Sequence, residues 1–326
     1  MSGLKSVFRV QMMAMAIALS FICSVALADN QGKLVEFKLP DAGGSTHEIA
    51  AGPDGNIWVT QQNHARLVRI STDGKLKTFD VAPKSGPHGL RFDKQGRMWL
   101  TLQFANEIAL AGFDGEIRKR YKIPVDDANP HGLGIGSDGS IWWTGKTANV
   151  IGRLDPESGE MKVFPIDAQP STPIYIAAGP DGNMWFTELE GNRVSRITPE
   201  GKITRFKIPF ENARPIVIFT GPQGNIWYTE ERGNAYGTIT TDGQFKRFET
   251  GVEGGKLAGA VFDKDGHLWV QFNTPDIIQK IGNDGVKTTF ELPSKKAVQH
   301  RITVGPDGNI WFTELATDTV GRITVN

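Results

Sequence analysis

The chain has 326 residues, with 36 Lys plus Arg against 36 Asp plus Glu, and a single cysteine. Balanced charge without a long basic run argues against nucleic acid as a partner, and one cysteine excludes a disulfide framework. Stability must come instead from a core large enough for one domain, or from an architecture that closes on itself.

Residues 1–28 read as a leader. Lys5 and Arg9 give a positive start, Met12 to Leu27 is almost unbroken apolar sequence, and Ala26-Leu27-Ala28 places small residues at the two recognition positions. This layout predicts a Sec-type secretory signal peptide cleaved after Ala28, and so a periplasmic or secreted protein without a membrane span after cleavage. Cys23 lies within the leader and lacks the small residue upstream that lipoprotein processing requires. A single mature domain is expected over 29–326.

The tryptophans carry the fold. Trp58, Trp99, Trp142, Trp185, Trp227, Trp269 and Trp311 are separated by 41, 43, 43, 42, 42 and 42 residues. A repeat of this length is the signature of a four-stranded propeller blade. In chain order each repeat offers a short apolar strand, a tight turn such as GPDGN at 52–56 or 305–309, a strand bearing the Trp, a third strand, a second turn and a fourth strand. Gly supplies the positive φ of these turns, and Asp bonds the turn backbone. The final repeat stops at GRITVN, one strand short, while GKLVEFKLP at 32–40 matches the fourth strand GKITRFKIP at 201–209. The prediction is an all-β, seven-bladed β-propeller with four antiparallel strands per blade, its last blade closed by the N-terminal strand.

The first strands should line the central channel. Eleven residues before each Trp stand His47, His88, His131, Ile174, Ile216, Ala258 and His300. Four of the six histidines therefore share one phase of the repeat and fall in neighbouring blades, which predicts an arc of imidazoles around one mouth of the channel. Three residues after the Trp, Glu188, Glu230 and Glu314 end their strands, and Glu314 is expected to face the same opening as His300. Imidazole beside carboxylate suits a divalent metal or proton transfer. Each residue taken alone also fits a plain role, as a hydrogen-bonded strand histidine or a solvated carboxylate. Tyr175, Tyr228, Lys146, Arg214, Lys256 and Arg301 are further candidates for contacts at the site.

Pro87-His88-Gly89-Leu90, Pro130-His131-Gly132-Leu133, the WFTE strands at 185–188 and 311–314 and GRIT at 321–324 resemble the virginiamycin B lyase (streptogramin lyase) family, from about Gly32 to Asn326. The resemblance implies a magnesium-dependent elimination that opens the ester bond of a cyclic depsipeptide. It assigns the general base to His300 and the metal-holding carboxylate to Glu314, leaving His47, His88, His131, Glu188 and Glu230 to bind substrate. Two positions depart from the family pattern: Val298 stands where a glutamate is expected, and Ala258 where a second histidine is expected. The expected partner is thus a small molecule, a cyclic ester or peptide, met by a monomer with Mg2+ as cofactor. A hydrolase acting on the same bond, a propeller that binds a metal or small ligand without turnover, and a protein-interaction scaffold are the alternatives.

Overall fold

The computed structural model describes residues 26–27, 34–167 and 169–325. These form seven sheets, each built on four antiparallel strands, and no helix. Numbered by their inner strands, blades one to seven begin at Thr46–Ala51, Pro87–Phe92, Pro130–Ile135, Pro173–Ala178, Pro215–Thr220, Lys256–Phe262 and Gln299–Val304. Within each blade the chain runs from the inner strand outward through neighbouring antiparallel strands. Leu34–Lys38 completes blade seven by pairing antiparallel with Thr319–Ile323, as the sequence offset requires. The expected leader lies outside the described residues except for Ala26–Leu27, which pair in parallel with Thr288 and Thr289 at the outer edge of blade six.

The repeated Trp and the repeated turn depend on each other. Each Trp packs against an aromatic ring of its own blade's outer strand, stacked in most blades, as with Trp58 on Phe79 at 5.4 Å and Trp185 on Phe206 at 5.5 Å, and tilted in Trp99–Tyr121 and Trp269–Phe290. In blade seven that ring is Phe37 of the N-terminal strand, 5.4 Å from Trp311, so the closing strand brings its own piece of core. The indole N–H then donates to the turn, to Asp54, Asp93, Ser140, Asp181, Asp263 or Asp307. Blade five has Gln223 in its turn, and Trp227 is the one repeat tryptophan that is only half-buried.

A second repeated device joins the blades. In every blade the pairing of first and second strands slips near the start of the inner strand, a β-bulge that strands backbone groups beside the channel. The Thr that follows the Trp by two residues repairs this. Thr60, Thr101, Thr144, Thr187, Thr229 and Thr313 each accept an N–H from their own inner strand. Each also donates to an inner-strand carbonyl of the next blade: His88, His131, Ile174, Ile216, Ala258 and His47 in turn. Blade six carries Gln271 instead, whose amide reaches Thr313 O at 3.5 Å.

The same bulge corrects one expectation. A regular ladder continued from Ile302 opposite Phe312 would place Glu314 opposite His300; the one-residue slip places it opposite Gln299. Because strand side chains alternate between faces, that slip turns the carboxylate away from the histidine. Glu314 instead accepts a hydrogen bond from Thr317 at 2.6 Å and lies near Glu36 and Ser294 at the ring closure. Burial, aided by the charge of Glu36, pushes its carboxyl up to about 7.

Two outcomes follow. Thr101→Val leaves Gly89 N–H and His131 C=O without partners in a buried place, and should cost about 3 kcal/mol in thermal or denaturant unfolding. Thr101→Ser, which keeps the hydroxyl, should cost about 1 kcal/mol or less; equal losses would rule the clasp out as the cause. A carboxyl whose folded pKa is raised stabilises below its unfolded pKa and loses that contribution as pH rises through about 7. Glu314→Gln should therefore melt close to the wild type at pH 5 and several degrees above it at pH 8, read by calorimetry at both pH values.

Candidate functional site

The inner-strand phase brings His300, His47, His88 and His131 side by side at one end of the channel. Ring centroids lie 4.7 Å apart from His300 to His47, 4.4 Å from His47 to His88 and 4.0 Å from His88 to His131. His47 Nδ1 is 3.1 Å from His300 Nε2, one ring donating and the other accepting, and His47 Nε2 is 3.0 Å from Ser45 Oγ. His131 Nδ1 is 3.2 Å from Ile174 O, so that nitrogen carries the proton and Nε2 keeps its lone pair. His88 is buried and its Nδ1 has no hydrogen-bond partner among the described residues. Burial first, and neighbouring positive charge second, hold His300 well below the usual imidazole range and His47 at about 3. His88 and His131 are also lowered, burial again leading; the next cause is the adjacent His131 for His88, and Lys146 for His131. All four rings are neutral at pH 7.

A charged group braces the arc from below. The Arg301 guanidinium lies 3.9 Å from the Tyr175 ring centroid, its Nε donates to the Tyr175 hydroxyl, and its terminal nitrogen donates to His300 O at 2.6 Å. That last bond serves the one histidine carbonyl that no Thr clasp reaches. Glu48 balances the charge, with Oε1 3.0 Å from Arg91 and Oε2 3.8 Å from Arg301. Four blades thus meet across the channel axis. Arg301 borders a cavity of about 180 Å³ on the histidine side, which it shares with His131, His300 and Lys146. It also borders a second cavity of about 330 Å³ lined by Glu48, Arg91 and Tyr175. Glu48 and Arg91 escaped the sequence reading. The signal for Glu48 was present, since a carboxylate stands there in an inner-strand phase otherwise filled by Gly, Tyr, Val or Arg.

The other expected residues stand elsewhere. Glu188 and Glu230 are fully buried and share the bulge geometry of Glu314, opposite Pro173 and Pro215. Glu188 accepts from Ser195, and Glu230 accepts from Arg247 Nε at 2.9 Å. They are sheet residues and do not line the histidine mouth. Tyr228 is buried within blade five against Phe245. Lys256 is exposed at the start of its strand, whereas Arg214 borders the mouth cavity paired with Glu231 at 3.0 Å. Magnesium demands oxygen ligands in near-octahedral order. The mouth offers imidazole nitrogens with Lys146 and Arg301 beside them; Glu231, which also lines it, is paired with Arg214, and Glu188, Glu230 and Glu314 face away, so these residues do not fit that ion.

A sequence profile of the virginiamycin B lyase family matches residues 11–270 and 119–326. Virginiamycin B lyase of Mycolicibacterium smegmatis is 36% identical over 44 residues, a match that spans 14% of this chain and 16% of that protein. A solved streptogramin B lyase superposes with a TM-score of 0.85 at 29% identity, covering 90% of this chain and 97% of that one. A catalytically inactive histidine-to-alanine variant of virginiamycin B lyase from Staphylococcus aureus, with quinupristin, gives a TM-score of 0.84 at 29% identity, covering 90% and 99%. Seven Trp-bearing blades, a borrowed closing strand and a profile match along the whole propeller have one meaning: this chain belongs to the virginiamycin B lyase family.

Proposed function

We propose that the protein is an exported carbon–oxygen lyase that opens an ester bond in a small cyclic ester or depsipeptide at the histidine mouth, with His300 as general base. The observation that carries this reading is the His300–His47–Ser45 chain, a neutral imidazole linked to a second imidazole and a hydroxyl at 3.1 and 3.0 Å. The related S. aureus protein, inactive as a histidine-to-alanine variant, adds weight to a histidine as the reacting group. The leader-like 1–28 segment is the basis for proposing export.

In such an elimination the base takes a proton from the carbon next to a carbonyl. The freed electron pair forms a carbon–carbon double bond, the neighbouring C–O ester bond breaks, and the carboxylate leaves. A depressed pKa guarantees His300 a free lone pair at neutral pH but weakens its hold on the proton. Sharing the positive charge with His47 offsets that weakness. Lys146, half-buried on the cavity wall, is placed to meet the developing carboxylate, and Arg301 adds its field from beneath. The 180 Å³ cavity takes the reacting ester, and the rest of a macrocycle would lie across the rim.

Incubation with quinupristin-type depsipeptides and simple lactones, followed by mass spectrometry, tests the proposal. Elimination gives a ring-opened product of unchanged mass, whereas hydrolysis adds one water. His300→Ala should lower turnover by about 100-fold or more while the unfolding temperature is kept. Lys146→Gln should lower it less, by about tenfold. If the wild type opens no member of the panel, with or without added magnesium or zinc, the lyase reading fails and ligand binding without turnover replaces it.

A further inference from the structure

The donor set that rejects magnesium suits another class of cation. One nitrogen each from His47, His88 and His300 lie within 4.8 Å of one another. Imidazole nitrogens bind zinc-class ions at about 2.0–2.1 Å, so small ring rotations would gather all three on one ion. His88 adds an independent reason. His88 is 2% exposed, and its Nδ1 has no partner among the described residues. A buried polar atom left in that state marks a deficit that a ligand would cancel. The three rings stand on consecutive inner strands of blades seven, one and two, whose backbones are fixed before any ion arrives.

We infer that His47, His88 and His300 form a nitrogen-donor site for a single divalent cation of the zinc, nickel or copper class, with a fourth position open toward the mouth cavity. Lys146 and Arg301 oppose any cation there, and Glu48, 3.8 Å from Arg301, is shared with Arg91 at 3.0 Å. That field selects against ions held by charge alone and leaves those held by strong bonds to imidazole. The inference rests on the proposed lyase reading only in sharing its place. A bound ion would take up the His300 lone pair that the elimination needs, so metal loading and turnover exclude each other.

A second group, Asp263, Asp265 and His267, also draws its ligand atoms together, at a turn of blade six. There Asp263 already accepts from Trp269 and from backbone N–H groups, which makes this group a suitable control. The test is a Co2+ titration of the EDTA-stripped full chain, read by visible ligand-field absorption and by calorimetry. One Co2+ per chain is expected, displaced by Zn2+ but not by a large excess of Mg2+. His88→Ala should weaken binding at least about tenfold, and His267→Ala should leave it unchanged. If His88→Ala does not fold, His47→Gln at the half-buried rim makes the same test. Absence of ligand-field bands, displacement by Mg2+, or binding lost in His267→Ala and kept in the histidine-arc variants would each overturn the inference. No substrate enters the titration, so a failure of the lyase reading leaves its outcome intact.

Discussion

A threonine hydroxyl is the interaction on which the rest depends. Each blade's inner strand is bulged, and a bulge beside an open channel leaves backbone N–H and C=O groups without ladder partners. One hydroxyl, accepting from its own blade and donating to the next, satisfies both at once in six of the seven blades and couples neighbouring inner strands. Apolar packing between blades supplies the bulk of the stability, but it is not directional. The clasp fixes how one inner strand sits against the next, and therefore how far one imidazole lies from its neighbour.

The irregular member of this series is informative. Blade six has Gln271 where the others carry Thr, so the carbonyl of His300 goes without a clasp and takes a guanidinium instead. Arg301 is held in turn by Tyr175 from the far side of the channel and by Glu48. His300 is thus tied to the opposite wall, whereas His88, His131 and His47 are tied to the blade before them. The ring departs from its own repeat at the residue proposed to do the chemistry.

Much of this was legible in the sequence because it is periodic. The Trp spacing gave the blade count, the match between 32–40 and 201–209 gave the closing strand, and the shared phase of four histidines placed them in adjacent blades. What was not legible is a matter of one residue of register. Counting along a regular hairpin sets Glu314 across from His300, and nothing in GPDGNIWFTE announces the slip that sets it across from Gln299. The clasp that accompanies the slip shows in the sequence only as a recurrent Thr two residues after the Trp. Glu48, Arg91 and Tyr175 were hard to place for another reason. Tyr175 meets Glu48 and Arg301 from the far side of the channel, and Arg91 meets Glu48 between neighbouring blades, at separations that no repeat alignment measures.

The borrowed strand has a bearing on how the protein comes into being. His47 and His300 stand 253 residues apart in sequence and meet only across the seam between the first and last blades, where Thr313 also reaches His47 O. Contacts of such long range carry a large loop-closure cost and slow folding. A ring still open at the seam would lack the imidazole pair, together with the core that Trp311 and Val320 share there with Ile49 and Val59. The pairing of these two histidines is therefore a certificate of completed assembly, and the chemistry proposed for the mouth is withheld from every unfinished form of the molecule.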